Sequence, residues 1–258
     1  MPTFAANLSF MYQEVEFLDR FQLAAQDGFQ WIEFLYPYSY KAADIKQRLN
    51  QYKLRQHLFN ISPGDESKGE KGLSIFENRQ ADFTQNLENA LTYAKALQVS
   101  RLHLMAGILP SGADQLSARK TYLQRIRQAA NAAQALGIDI VIEPINTRNA
   151  PGYFLNYQKD AVQIITELAI PNVKLMMDLF HAQIMEGDLE KKLRQFIQYI
   201  GHIQIAGVPD RHEPDTGEVN YQHLFSVIDA LNYQGLIGCE YFPKNNTTAG
   251  LGWLKPHL

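Results

Sequence analysis

A chain of 258 residues with 46% hydrophobic and 20% charged side chains has the composition of a globular protein that can bury a large core. Its formal net charge of −3 gives no electrostatic footprint for nucleic acid, and no apolar run reaches the roughly 18 residues that a membrane span needs. The single cysteine, Cys239, rules out an internal disulfide and a multi-thiolate metal site, and reads as a small buried strand residue. The opening Met1-Pro2-Thr3-Phe4-Ala5-Ala6-Asn7 lacks the basic start, long apolar centre and cleavage site of a secretory signal, which makes the cytoplasm the expected location.

Short apolar runs alternate with amphipathic stretches from one end to the other. The predicted strands, in chain order, are Thr3 to Leu8, Gln30 to Tyr36, Leu54 to Asn60, Ser100 to Ala106, Ile138 to Glu143, Val173 to Asp178, Gly201 to Ala206 and Leu236 to Tyr241. Between them, the spacing of Phe83, Leu87, Leu91 and Ala94, and of Leu116, Leu123, Ile126 and Ala130, predicts helices that turn these residues to a core. Gly28 and Gly137 fall where helix C-caps should lie, just before a strand. Such alternation implies parallel strands with helical crossovers, and eight units in this length predict a (β/α)8 TIM barrel, a single domain over 1–258. An open doubly wound sheet for dinucleotides would carry a glycine-rich turn after its first strand, where Ala5-Ala6-Asn7-Leu8-Ser9 has none. Gly64 and Gly69 have P-loop spacing, yet Glu70 replaces the lysine and Lys71 the serine or threonine, so Pro63 to Gly72 reads as a mobile lid.

The last four predicted strands each carry an oxygen-donor side chain at or near the end: Glu143, Asp178, Gln204 and Glu240. An ionised group inside apolar sequence is costly unless it is paired or holds a cation, and in a barrel these strand ends converge on one face. Three carboxylates and an amide carbonyl suit a hard divalent ion, Mg2+ or Mn2+, which with an α-hydroxycarbonyl substrate would support removal of a carbon-bound proton. Glu143 and Glu240 are the expected proton-transfer pair, one taking the proton and the other returning it, to the neighbouring carbon in an isomerase or to the same carbon in an epimerase. For Gln204 the bland alternative is an amide satisfied by backbone.

His181, three residues beyond Asp178, is a candidate substrate contact, with a helix-start or core histidine as the alternative. Arg211 is a candidate for holding an anionic substrate, the alternative being a rim salt bridge with Glu213 or Glu218. Lys68, Lys71 and Lys244 are further cationic candidates, and Phe10, Tyr12, Tyr36, Tyr38, Phe180 and Tyr241 are candidate pocket walls.

These residues, with Phe4-Ala5-Ala6-Asn7-Leu8-Ser9, Glu33-Phe34-Leu35-Tyr36-Pro37-Tyr38, Pro63-Gly64-Asp65, Ile142-Glu143-Pro144-Ile145-Asn146, Arg211-His212-Glu213-Pro214 with Gly217-Glu218, and Gly238-Cys239-Glu240-Tyr241, resemble the hydroxypyruvate isomerase family of xylose-isomerase-like barrels over nearly the whole length. The resemblance implies a carbonyl shift through an enediol without an organic cofactor, with Glu143 and Glu240 as proton donor and acceptor. It also implies Glu143, Asp178, Gln204 and Glu240 as ligands of a divalent ion. Met105-Ala106-Gly107 and Ile205-Ala206-Gly207-Val208-Pro209-Asp210 are more similar to the 2-oxo-tetronate isomerase branch, whose substrates are four-carbon sugar acids. The expected partner is thus a small sugar acid, with no nucleic acid and no membrane, and homo-oligomerisation left open. Hydroxypyruvate isomerisation, ketose 3-epimerisation and a non-enzymatic sugar-acid binding module are the competing functions. A nuclease of the same superfamily would need several metals, histidine-rich ligation and a basic face.

Overall fold

A computed structural model describes residues 2–257; Met1 and Leu258 lie outside the described residues. Its elements in chain order are β1 (Thr3–Asn7), α1 (Phe17–Gln26), β2 (Trp31–Glu33), α2 (Ala42–Tyr52), β3 (Arg55–Gln56), β4 (Leu58–Asn60), α3 (Gln80–Leu97), β5 (Arg101–His103), α4 (Gln115–Gln134), β6 (Asp139–Ile142), α5 (Gln158–Leu168), β7 (Val173–Asp178), α6 (Leu179–Met185), α7 (Leu189–Phe196), β8 (Ile200–Ile205), α8 (Tyr221–Ala230) and β9 (Leu236–Cys239). Every strand pairing is parallel, in the order β3-β2-β1-β9-β8-β7-β6-β5-β4.

β3 and β4 are the two halves of one barrel strand interrupted at His57. The ladder to β2 continues across the break, because the amide of His57 donates to the Ile32 carbonyl at 2.9 Å and that of Asn60 to the Leu35 carbonyl at 2.8 Å. The first half therefore pairs with β2 and the second with β5, which closes the ring and gives the (β/α)8 TIM barrel expected from the alternation. All eight predicted strands are present, several of them shorter than predicted. The second is cut to Trp31–Glu33 because Phe34 and Leu35 leave the strand while still contributing to the ladder.

The core lies mainly between sheet and helices. Phe83, Leu87, Ala90, Ala94 and Leu97 make the buried stripe of α3, as the spacing predicts, with Leu91 half-buried at its margin. In α4 the stripe starts later than predicted. Leu116 is 79% exposed, because the first turn of α4 is capped by Asp114 at the loop end of the helix, and the buried face begins at Ala118. Gly28 and Gly137 have φ of 93° and 68° just past the ends of α1 and α4, the left-handed geometry that lets each chain turn into its next strand. Inside the ring Leu58, Val141 and Met176 pack as a separate small cluster. Among the described residues no helix is long and apolar enough to cross a membrane.

Candidate active site

Asp178 shows how the fold aims a side chain. It ends β7 and caps α6, its Oδ1 accepting from the Phe180 amide at 2.8 Å. That bond spends one oxygen and fixes the rotamer, leaving Oδ2 buried without a hydrogen-bond partner. On either side, Glu143 follows β6 with Oε1 unpartnered, and Gln204 lies on β8 with Oε1 unpartnered, in register with Asp178. Three buried, unsatisfied oxygens at three successive strand ends form the kind of set that a cation satisfies.

His181, on the first turn of α6, closes the cluster. Its Nε2 lies 3.7 Å from Glu143 Oε1 and 3.5 Å from Asp178 Oδ2. Glu143, Asp178 and His181 each present one potential ligand atom, all within 4.8 Å of one another. The hydrogen-bond network also assigns the ring proton. Asn149 fixes the Asn146 amide by donating its backbone N–H to Oδ1 at 2.7 Å and accepting from Nδ2 at 2.9 Å. The Asn146 Nδ2 group then donates to His181 Nδ1 at 2.6 Å, so Nδ1 accepts and Nε2 carries the proton toward the two carboxylates. Burial, with Arg211 and His103 nearby, holds the His181 pKa well below its ordinary value, so the ring is neutral.

Glu240 follows β9 and is saturated. Oε2 accepts from Gln204 Nε2 at 2.5 Å and Asn7 Nδ2 at 3.2 Å, and Oε1 accepts from Arg211 Nη2 at 2.5 Å. The same Arg211 nitrogen is 3.6 Å from Asp178 Oδ2. Arg211 therefore points into the barrel mouth, with its guanidinium carbon 4.8 Å from the centre of the Phe10 ring and 4.9 Å from that of Phe180. The rim salt bridge does not form: Glu213 accepts from the Lys244 amide, and Glu218 from Gln183.

The carboxylates are hard to ionise. Burial, reinforced by Glu240 and Asp178, raises the Glu143 pKa well above the usual range. Burial pushes Glu240 up to about 8, with Arg211 pulling in the opposite direction, and burial also raises Asp178. His103 Nε2 lies 3.6 Å from Glu143 Oε2 and is itself pushed down to about 3 by burial, so it offers Glu143 no positive charge.

Residues 21–257 match the family described as xylose isomerase-like TIM barrel. The chain belongs to that family. Among curated relatives it is 54% identical to a 2-oxo-tetronate isomerase of Cupriavidus necator, over 100% of this chain and 99% of the relative. It is 39% identical to the hydroxypyruvate isomerase of Escherichia coli, over 100% of both chains. A Brucella melitensis crystal structure described as an AP endonuclease, family 2, superposes with a TM-score of 0.98 at 47% identity, covering 100% of this chain and 99% of that one. The 3-keto-D-glucoside 4-epimerase of E. coli shares the fold, with a TM-score of 0.81 at 21% identity over 99% of both chains.

Within this xylose isomerase-like barrel, Glu143, Asp178, Gln204, Glu240, His181 and Arg211 come together as the sequence suggests. Phe10, Phe180 and Tyr36 join them, the Tyr36 hydroxyl donating to Met105 Sδ at 3.2 Å. Tyr12 and Tyr241 do not. The Tyr12 hydroxyl donates to Asp27 at 2.9 Å and that of Tyr241 accepts from Trp253 Nε1 at 3.3 Å, so both point into the layer between sheet and helices. The Tyr38 hydroxyl is turned to the Asn60 carbonyl, and Lys68 pairs with Asp65 at 2.8 Å in its own exposed turn. Cys239 is fully buried with its thiol pKa raised, a small strand residue as expected. Two site neighbours escaped the sequence reading as functional groups. Glu33, at the end of β2, and Asn7, at the end of β1, are both buried and both bonded into the Glu240 cluster.

Proposed function

We propose that the chain is a metal-assisted isomerase of a four-carbon sugar acid, interconverting 2-dehydro-tetronate and 3-dehydro-tetronate within one barrel domain over 1–258. The observation that carries this reading is the trio of buried, unpartnered oxygens, Glu143 Oε1, Asp178 Oδ2 and Gln204 Oε1, set beside a carboxylate with its pKa near 8, Glu240. The relatives named 2-oxo-tetronate isomerase support the choice of substrate.

The donor set fits a divalent ion, Mg2+ or Mn2+, through Glu143, Asp178, Gln204 and Glu240, and such an ion would polarise the C2 carbonyl and lower the energy of the enediolate. Glu143 and Glu240 exchange the protons on carbon: one takes the C3 proton as the C–H pair forms the C2–C3 double bond, and the other delivers a proton to C2. The O3 proton is lost as the C3 carbonyl forms, and O2 gains one, so atoms and electrons balance with no external oxidant. A carboxylate with a raised pKa is a better base and still a usable acid near neutral pH, which is what a reversible transfer needs. His181 Nε2–H faces this space from a neutral ring and is placed to donate to the oxygen that gains charge. Arg211 serves the substrate carboxylate, turning its guanidinium from Glu240 Oε1 to the incoming anion and freeing that oxygen.

Hydroxypyruvate isomerisation is the second reading, favoured by the E. coli relative, and uses the same groups on a substrate one carbon shorter. For a nuclease, the described residues offer one cluster of three or more histidine or acidic ligands, Glu143, Asp178 and His181, and the net charge is −3. The test is steady-state turnover of 2-dehydro-tetronate and hydroxypyruvate by metal-stripped protein and by protein reloaded with Mn2+. Faster conversion of the tetronate, dependent on the ion, is expected, and turnover of hydroxypyruvate alone would transfer the chain to the second reading.

A further inference from the structure

Glu33 is a fully buried carboxylate that the chemistry above does not use, and its two oxygens receive three donors. Oε1 accepts from Asn7 Nδ2 at 3.0 Å and Gln204 Nε2 at 2.8 Å, and Oε2 lies 2.7 Å from His202 Nε2. The two amides that reach Glu33 Oε1 are the same two that reach Glu240 Oε2. The four groups close a hydrogen-bonded ring, in which Asn7 and Gln204 each bridge Glu33 to Glu240.

We infer that Glu33 is a positioning residue that locks the Gln204 amide so that its oxygen, not its nitrogen, faces the metal ligands; this rests on the proposed role of Gln204 in holding the ion. Both hydrogens of Gln204 Nε2 are taken by carboxylates, one from Glu33 and one from Glu240, and Oε1 is left buried and unpartnered. Turning the amide over would set its oxygen against two carboxylates and its nitrogen toward a cation, so both ends oppose the flip. Glu240 alone could hold one hydrogen, and Glu33 supplies the second restraint. Asn7 is held in the same sense, since its Oδ1 is occupied by the Ser9 amide at 3.0 Å.

The fold reserves room for this carboxylate. Gly238 on β9 stands in register with Gln204, and a Cβ there would lie 2.2 Å from Glu33 Oε1. A side chain at 238 and the Glu33 carboxylate cannot share that space.

The test is Mn2+ affinity of the metal-free protein, read by electron paramagnetic resonance without substrate, for wild type, Glu33→Gln, Gln204→Glu and the double exchange. In Glu33→Gln the neighbouring amide can present an N–H to residue 204, the Gln204 amide can turn over, and Mn2+ affinity should fall about tenfold or more, the range for lost partners of metal ligands. In the double exchange, residue 204 is a carboxylate with an oxygen at either end, so affinity should return to within about threefold of wild type although the carboxylate at position 33 is still missing. A residue that merely supports the fold would not be rescued in this way, and thermal midpoints of all four proteins separate unfolding from loss of affinity. Unchanged affinity in a folded Glu33→Gln, or failure of the double exchange to recover it, would overturn the inference. Because no substrate is used, wild type that binds Mn2+ but turns over neither keto acid defeats the isomerase reading alone. Wild type that binds no Mn2+ removes the ligand role of Gln204 and this inference with it.

Discussion

Substituting Gly238 by alanine adds one methyl group where the structure has no room. The new Cβ would sit 2.2 Å from Glu33 Oε1 and 2.5 Å from its Cδ and Oε2, and a carboxylate pinned by three donors is not the free end of a flexible chain. Overpacking of this kind costs about 1–3 kcal/mol. Displacing Glu33 far enough to relieve it breaks at least one charge-assisted hydrogen bond, worth about 1.5–3 kcal/mol. The sum, about 2.5–6 kcal/mol, is a large share of a typical stability of about 5–15 kcal/mol. At roughly 2–4 °C per kcal/mol for a chain of this size, the thermal midpoint should fall by about 5–24 °C. Calorimetry of the metal-free protein measures it, with Gly252→Ala, where an added Cβ meets nothing within 4 Å, as the control expected to stay within about 0.5 kcal/mol of wild type. A Gly238→Ala midpoint within about 2 °C of wild type would show that Glu33 yields freely and would refute the rigid-ring reasoning.

Glu143→Gln and Glu240→Gln should each lower kcat by about 10²–10⁴-fold, the range for loss of a general acid or base, with the fold intact by circular dichroism; turnover within tenfold of wild type would dismiss that carboxylate from proton transfer. Arg211→Met should raise KM for the keto acid by at least about tenfold, since a charge-assisted contact to the substrate carboxylate is lost, and an unchanged KM would return Arg211 to a purely structural pairing with Glu240. Metal-free stability should depend on pH in a set direction. The folded pKa of Glu240 is raised above its unfolded value, to about 8, so its contribution is fully present below about 4.5 and is lost as pH rises through about 8. Urea midpoints in chelator should therefore fall between pH 5.5 and pH 8.5, less so in Glu240→Gln, and saturating Mn2+ should restore them at the higher pH; a midpoint that rises over that window would contradict the assignment.

Much of the site is legible because the chain places expensive groups in apolar strands. Glu143, Asp178, Gln204 and Glu240 stand out against Val141-Ile142, Met176-Met177, Ile203 and Gly238-Cys239, and alternating strands and helices bring them to one mouth. The same signal exists at Glu33, a carboxylate after Trp31-Ile32, but it falls in the first half of the chain, and its partners are 26, 169 and 171 residues away. Local pattern does not report such pairings. The inward turn of Arg211 is equally non-local: its backbone φ of 60° and its seat between Phe10, in the loop after β1, and Phe180, in the first turn of α6, depend on segments that follow three different strands. Leu116 misleads because helical spacing reports which face is apolar, not where the structure beneath that face ends. Tyr12 and Tyr241 look like pocket walls at strand ends until Asp27 and Trp253 draw their hydroxyls into the outer layer.

The most direct experiment is proton NMR of 2-dehydro-tetronate with the Mg2+-loaded protein in deuterated water. Transfer of the carbonyl by Glu143 and Glu240 predicts formation of 3-dehydro-tetronate with deuterium entering at C2. Recovery of a 2-dehydro acid with deuterium and inverted configuration at C3 would instead make the protein an epimerase, and absence of any exchange or conversion would contradict proton transfer at this site.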